Sequence, residues 1–206
     1  MSKSNLTIED GEFLIKLARD SIKNFLNKNE RLMPPPETPE KFMEKSGVFV
    51  TLNKKGDSKE LRGCIGYPYP TDPLVIALIN SAIEAATSDP RFPSITIDEI
   101  NKIIVEVSVL TKPDLIKVNE SSELPKEIKI GEDGLIIEKG PIKGLLLPQV
   151  PVEWNWDEEE YLANLCAKAG LTFDCWIMED TKIYKFQAVV FEEEEPNGKI
   201  HLRNLR

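Results

Sequence analysis

Between two proline-marked breaks lies the segment that most limits how this chain can fold. From Leu74 to Thr87 it is apolar nearly all round. Val75, Ile76, Leu78, Ile79, Ala82, Ile83, Ala85 and Ala86 fall on every side, and Glu84 is the only acid in its body. A helix of that kind has no face to give to water and must be covered on most sides. Asp72-Pro73 opens it with an N-cap and a proline at the first helical position. Ser88-Asp89-Pro90-Arg91-Phe92-Pro93 closes it, because each proline disfavours helical geometry in the residue before it. The two prolines around Arg91 stiffen that loop and hold its charges in place.

The nearest cover precedes the helix. Val48-Phe49-Val50-Thr51-Leu52, the polar loop Asn53 to Ser58 and Leu61-Arg62-Gly63-Cys64-Ile65-Gly66 read as strand, turn, strand. In an extended Leu61–Ile65 segment, Leu61, Gly63 and Ile65 point one way, and Arg62 and Cys64 the other. An apolar face is then free to join the core, while a thiol and a guanidinium share the second face. Lys54, Lys55 and Lys59 around the turn read as a solvated hairpin tip.

Along the rest of the chain, Thr7 caps a helix over 8–27 whose buried stripe is Leu14, Leu17, Ala18, Ile22 and Phe25. The prolines from Pro34 to Pro39 hold an extended strap. Thr96 and Glu99 form a capping box. Ile103 to Leu110 is a strand with Val105, Val107 and Val109 on one face and Ile104, Glu106, Ser108 and Leu110 on the other. Ile128–Ile130 and Leu135–Lys139 read as a hairpin, and Gly144–Pro148 as a further strand. Asp157 and Glu160 start a helix with the stripe Tyr161, Leu162, Leu165, Cys166 and Ala169, stopped at Gly170. Lys182 to Glu192 is the last strand, and the residues after it read as frayed. Helices and hairpins without strict βαβ alternation indicate an α+β fold with largely antiparallel sheets.

Composition narrows the class of partner. A net charge of -9 repels phosphate backbones, so nucleic acid is an unfavourable partner. No apolar run is long enough to span a bilayer, and Met1 to Asn5 lack the apolar region of a secretory signal behind them. Three cysteines, an odd number without a C-x-x-C, fit a reducing cytoplasm, with Cys166 and Cys175 read as core residues. Abundant lysine, isoleucine and glutamate are compatible with a thermophile.

The chemistry-bearing residues admit two readings each. Cys64 is either a nucleophilic or redox-sensitive thiol, its thiolate favoured by Arg62, or a small side chain packed beneath the apolar helix. The single histidine, His201, falls in the tail, which argues against a Cys-His pair. A general base would therefore be a carboxylate: Glu106, Asp89 or Glu84. The plainer reading of Asp89 is an ion pair with Arg62 or Arg91, and of Glu106 a pairing with a cation on a neighbouring strand. Gly63 and Gly66 would let a ligand approach the backbone, and Arg62 and Arg91 suit carboxylate or phosphate oxygens. No phosphate-binding glycine motif and no zinc spacing is present, so no cofactor and no metal is assigned. Trp154 and Trp156 either anchor their loop or stack on a ligand or partner.

Leu61-Arg62-Gly63-Cys64-Ile65-Gly66 resembles the hallmark motif of the AMMECR-type domain family. Asp89-Pro90-Arg91-Phe92-Pro93 resembles its second motif, and Val107–Thr111 the strand that follows. Leu145–Val150, Trp156-Asp157 and Lys168–Leu171 resemble its C-terminal signature. These stretches occur in the family's order over most of the chain. The resemblance implies two α+β subdomains with a cleft between them. The smaller is inferred at about 47–95 with the Leu61–Gly66 motif, and the larger at 1–46 with 96–206. It implies little about activity. In prokaryotes the family's genes often neighbour those for a Memo-type protein and a radical S-adenosylmethionine enzyme, which makes both expected partners. Two functions follow as expectations. One is an enzyme or small-molecule-binding protein with Cys64, Arg62 and Glu106 as catalytic candidates and Gly63, Gly66, Asp89 and Arg91 as ligand-binding candidates. The other is a non-catalytic adaptor using the same surface. The oligomeric state is not legible.

Overall fold

The computed structural model describes residues 6–56 and 60–204. Asp57, Ser58 and Lys59 of the expected hairpin tip, and the N-terminal Met1 to Asn5, lie outside the described residues. The chain forms two compact units, Met1–Thr111 with Val189–Arg203, and Lys112–Ala188 with Asn204–Arg206.

In the first unit α1 (Ile8–Lys28) starts at a reciprocal cap. Thr7 accepts the Asp10 N–H, and the Asp10 carboxylate accepts the Thr7 N–H at 2.7 Å. Strands β1 (Gly47–Lys54), β2 (Glu60–Tyr67) and β3 (Ile103–Leu110) are antiparallel, with β1 in the middle and β2 outermost. α2 (Leu74–Thr87) is buried along most of its surface. Its cap sits at Pro73 instead of Asp72, and the Leu74 N–H is satisfied by the Glu44 carbonyl at 2.9 Å. Leu14, Leu17 and Ala18 of α1, Leu74, Leu78 and Ala82 of α2, and Val48, Val50, Val105 and Val107 of the strands make one apolar core. The short α3 (Ile97–Ile100) keeps the expected Thr96–Glu99 capping box.

The observed units divide the chain at other places than the expected 46/47 and 95/96. A division at 46/47 and 95/96 would cut β1 from β3, which pair along the whole of β1 from Gly47↔Leu110 to Lys54↔Ile103. It would also part α1 from α2. The observed division falls at Thr111/Lys112 and Ala188/Val189.

The second unit holds β4 (Asp114–Leu115), β5 (Asp133–Lys139), β6 (Ile142–Leu146), α4 (Gln149–Glu153) and α5 (Glu158–Lys168). The expected hairpin is displaced. β5 pairs with β6, not with Ile128–Ile130, because Gly140, at φ 57°, makes the left-handed turn between them. The long β7 (Thr181–Glu193) contributes residues to both units, and in the second it pairs with β5 and β4. Leu135, Ile137, Tyr161, Leu162 and Leu165 are fully buried there. Cys166 and Cys175 are core residues, but they are bonded to each other as a disulfide, Cα–Cα 6.0 Å. The reading of both as core residues did not include this bond. Sequence spacing carried no sign of the pair, since they lie on either side of a helix stop.

The described part of the tail is not frayed. β8 (Ile200–Leu202) pairs with β7, Phe191 opposite Leu202 and Glu193 opposite Ile200. Among the described residues no helix is long and apolar enough to cross a membrane.

Candidate functional site

Three strands bring one row of side chains together. Thr51 in β1 lies opposite Cys64 of β2 on one side and Glu106 of β3 on the other. Directly opposed residues share a sheet face, so Cys64, Thr51 and Glu106 form a line across it. The Thr51 hydroxyl donates to Cys64 Sγ at 3.4 Å. The other face carries Gly63, and a Cβ there would stand 2.1 Å from the Ala85 carbonyl of α2. The glycine is what lets the apolar helix lie against the strand. Gly66 is equally confined, between the Phe49 ring and the Val48 carbonyl. Neither glycine leaves open backbone on its Cβ side.

β2 is the outer strand of its sheet, and the loop after α2 closes its edge at Cys64. The Cys64 N–H donates to Asp89 Oδ2 at 2.8 Å, and the Cys64 carbonyl accepts from Arg91 Nη2 at 3.3 Å. Asp89 and Arg91 are themselves joined, Nε to Oδ1 at 3.0 Å and Nη2 to Oδ2 at 2.7 Å. A carboxylate and a guanidinium thus offer Cys64 the acceptor and the donor that a further strand would have supplied. Asp89 is buried, whereas half of the Arg91 side chain is exposed. Its Nη1 makes no hydrogen bond to a described residue. Phe92 lies beneath it, 5.4 Å from ring centre to guanidinium carbon.

The electrostatics follow. The Arg91 hydrogen bonds hold the Asp89 carboxyl down at about 2, against the cost of its burial. Asp89 in turn raises the Arg91 pKa. Burial pushes the Cys64 thiol up, more than the Thr51 hydrogen bond and the Arg91 charge pull it down. Cys64 is therefore a neutral thiol near pH 7, not a standing thiolate.

Arg62 does not share this arrangement. The β1–β2 register shifts between Leu52 and Asn53, which pair with Gly63 and Leu61 and leave Arg62 without an opposite residue. Such a bulge breaks the alternation on which a common Arg62–Cys64 face depends. The Arg62 guanidinium is buried and bonds Glu99 of α3, Nε to Oε1 at 2.6 Å and Nη2 to Oε2 at 3.2 Å. It packs over Phe92 at 5.9 Å, and its Nη1 has no hydrogen-bond partner among the described residues. Arg62 holds Glu99 below the ordinary glutamate range. The two arginines meet at Phe92, not at sulfur.

Glu106 is buried and pairs with Arg203, Oε2 to Nη1 at 3.0 Å. The cation comes from the ordered tail and not from an adjacent strand. Glu84 accepts the Tyr67 hydroxyl at 2.6 Å and lies 3.8 Å from Arg31. Burial, then the Glu84 hydrogen bond, lifts Tyr67 to about 12. His201 sits on β8, 3.6 Å from Glu192. Among the described residues no cluster of His, Cys, Asp and Glu has the makings of a metal site. Thr51, Glu99, Phe92 and Arg203 were not among the candidate site residues. Thr51 would have followed from counting across the hairpin, had the bulge been known.

Comparison with known proteins identifies this arrangement's setting. The AMMECR1 family model matches residues 15–191. A protein of Pyrococcus abyssi is 55% identical over 96% of this chain and 97% of its own. One of Methanocaldococcus jannaschii is 55% identical over 97% and 98%. The crystal structure of an uncharacterized protein from Pyrococcus horikoshii superimposes with a TM-score of 0.93 at 53% identity, covering 97% of this chain and 98% of that one. These relatives come from thermophilic archaea, and their names state no activity. On a match of this extent, the chain belongs to the AMMECR1 family.

Proposed function

We propose that the chain is a small-molecule-binding protein of enzyme-like build, with its site at Cys64, Asp89 and Arg91. One observation carries this reading. The Asp89–Arg91 pair fixes both backbone groups of Cys64 and leaves Arg91 Nη1 beside it without a partner among the described residues. A guanidinium held this rigidly gives up little freedom on meeting an oxyanion, which is the condition for preorganised binding. The neutral thiol and the Thr51 hydroxyl add weak polar contacts in the same row. In this reading Cys64 contacts the ligand and becomes a nucleophile only if a bound group takes its proton. Glu106 is a more remote member and Arg62 supports the loop through Phe92 and Glu99. The protein would act in the cytoplasm, alongside a radical S-adenosylmethionine enzyme and a Memo-type protein.

The test is affinity selection of small molecules from a cell extract by the full chain, with mass-spectrometric identification. The wild type is expected to retain at least one compound that Arg91→Ala and Cys64→Ala each retain tenfold less. Identical retention by all three proteins would overturn the proposal.

A second reading, a non-catalytic adaptor, draws on a different feature. Trp154 is 68% exposed and stacks on Trp156 at 6.2 Å between ring centres. Exposed aromatics of this kind anchor protein partners. Loss of a co-purifying protein partner in Trp154→Ala, with small-molecule retention absent throughout, would favour it.

A further inference from the structure

The second unit contains a cavity of about 420 Å³ that none of the candidate-site residues lines, within the size range of small-molecule sites. One wall is the chain from Leu115 to Leu124, the other the chain from Trp176 to Ile183. The walls are tied at one end, where the Ser121 hydroxyl donates to the Ile177 carbonyl at 3.3 Å. The second wall is stiff. Cys175, next to Trp176, is bonded to Cys166 of α5, and its carbonyl accepts the Thr181 hydroxyl at 2.7 Å and the Met178 N–H at 3.2 Å.

The lining combines two chemistries. Trp176, Val118, Leu115 and Met178 give it an apolar side, and Leu115 and Met178 are large apolar side chains left partly in water at its lip. Lys117 and Lys182 give it charge. An adjoining recess of about 300 Å³, which shares Lys117, Val118 and Asn119, adds Lys126. None of these three lysines has an ion-pair partner among the described residues. Lys182 lies opposite Glu138 in register, but that carboxylate bonds Lys143 at 2.6 Å. The acids nearby are partly engaged: Glu123 accepts the Asn119 N–H, and Glu127 lies 4.0 Å from Lys185. Glu179 is the remaining acid in the lining. On a chain of net charge -9, the larger cavity is lined by two lysines, neither with an ion-pair partner among the described residues, against the one acid Glu179.

We infer that this cavity is a second binding site, for a small amphipathic anion: a flat apolar body carrying one oxyanion. The body lies against Trp176 and Val118, and the oxyanion meets Lys117 and Lys182. Aromatic faces take a flat apolar body well, and the stiff Trp176 wall keeps the entropic cost of binding low. This inference is independent of the reading of Cys64.

The test uses the full chain and two probes with the same aromatic frame, 1-anilinonaphthalene-8-sulfonate and the uncharged N-phenyl-1-naphthylamine. Fluorescence titration is expected to show one saturable site for the sulfonate, with the neutral probe at least tenfold weaker. The double variant K117E/K182E should weaken the sulfonate at least tenfold and leave the neutral probe and the melting temperature unchanged. Trp176→Ala should weaken both probes, and Trp154→Ala neither. Sulfonate binding that is unsaturable, equals that of the neutral probe, or survives K117E/K182E unchanged would overturn the inference. A parallel titration of Arg91→Ala, expected to match wild type, separates this site from the one at Cys64.

Discussion

Asp89 and Cys64, twenty-five positions apart in the chain, meet through a side chain on one part and a backbone on the other: Asp89 Oδ2 accepts the Cys64 N–H at 2.8 Å. The same carboxylate holds Arg91, which reaches back to the Cys64 carbonyl. The loop after α2 and the outer strand thus depend on one buried acid. Asp89→Ala leaves a part-buried N–H without its acceptor and a half-exposed guanidinium without its counter-charge, so a loss of about 1–3 kcal/mol is expected in urea unfolding. Asp89→Asn keeps an acceptor for the N–H and should lose less.

The same acid sets a pH dependence. The folded Asp89 pKa, about 2, lies below its ordinary value of 3.8. The stabilisation is complete above the unfolded value and is lost as pH falls through the folded one. Wild type should lose the Asp89 contribution between about pH 4 and pH 2. The difference in stability between wild type and Asp89→Asn should shrink across that window, as read by urea titrations at each pH.

Cys64 should be a slow thiol. Burial raises its pKa, so alkylation by iodoacetamide at pH 7 is expected to be slower than that of a free thiol, with its midpoint above the ordinary thiol range. Thr51→Val removes the hydrogen bond that lowers it and should move the midpoint further up. Alkylation at the free-thiol rate would contradict the geometry.

Gly63 is fixed by a neighbour, not by its backbone angles. A methyl group there meets the Ala85 carbonyl at 2.1 Å, so Gly63→Ala should force α2 off the strand and cost about 1–3 kcal/mol or more. Thermal melting monitored by circular dichroism reads it directly.

The Cys166–Cys175 bond should appear as one reactive thiol per denatured chain before reduction and three after it. With a sequence separation of 9, the chain-entropy estimate for such a loop is roughly 3 kcal/mol. Cys175→Ala should lose about that much in denaturant.

Legibility in the sequence followed locality. α1, α3 and α5 could be read because Thr7, Thr96 and Asp157 cap their own helices within three residues. The β1–β2 hairpin and the faces of β3 were readable from period alone. The Asp89–Arg91 pair was among the named alternatives because two prolines hold it. The bulge at Arg62 was not legible, since a register shift depends on both strands and alternation assumes there is none. Arg203 as the partner of Glu106, and Cys175 as that of Cys166, were missed for a related reason. Each pairing is made by folding and leaves no spacing rule. The ordered tail reads as frayed in sequence because three residues of strand pattern, Ile200 to Leu202, are too few to stand out from polar neighbours.

The first unit is made of two stretches of chain separated by 77 residues of the second. During synthesis its helices and β1, β2 and β3 leave the ribosome long before Glu193 and Arg203. Yet Arg19 is buried against Glu193, whose other oxygen accepts from Val105, and Glu106 bonds Arg203. Until those late residues arrive, a buried guanidinium and a buried carboxylate lack the opposite charges they hold in the finished fold. The nascent first unit can collapse around its apolar helix but cannot neutralise its interior. Vectorial synthesis therefore leaves it waiting, and a stall or premature stop within the second unit would release a chain whose core still lacks Val189 and Phe191 and whose Arg19 lacks Glu193.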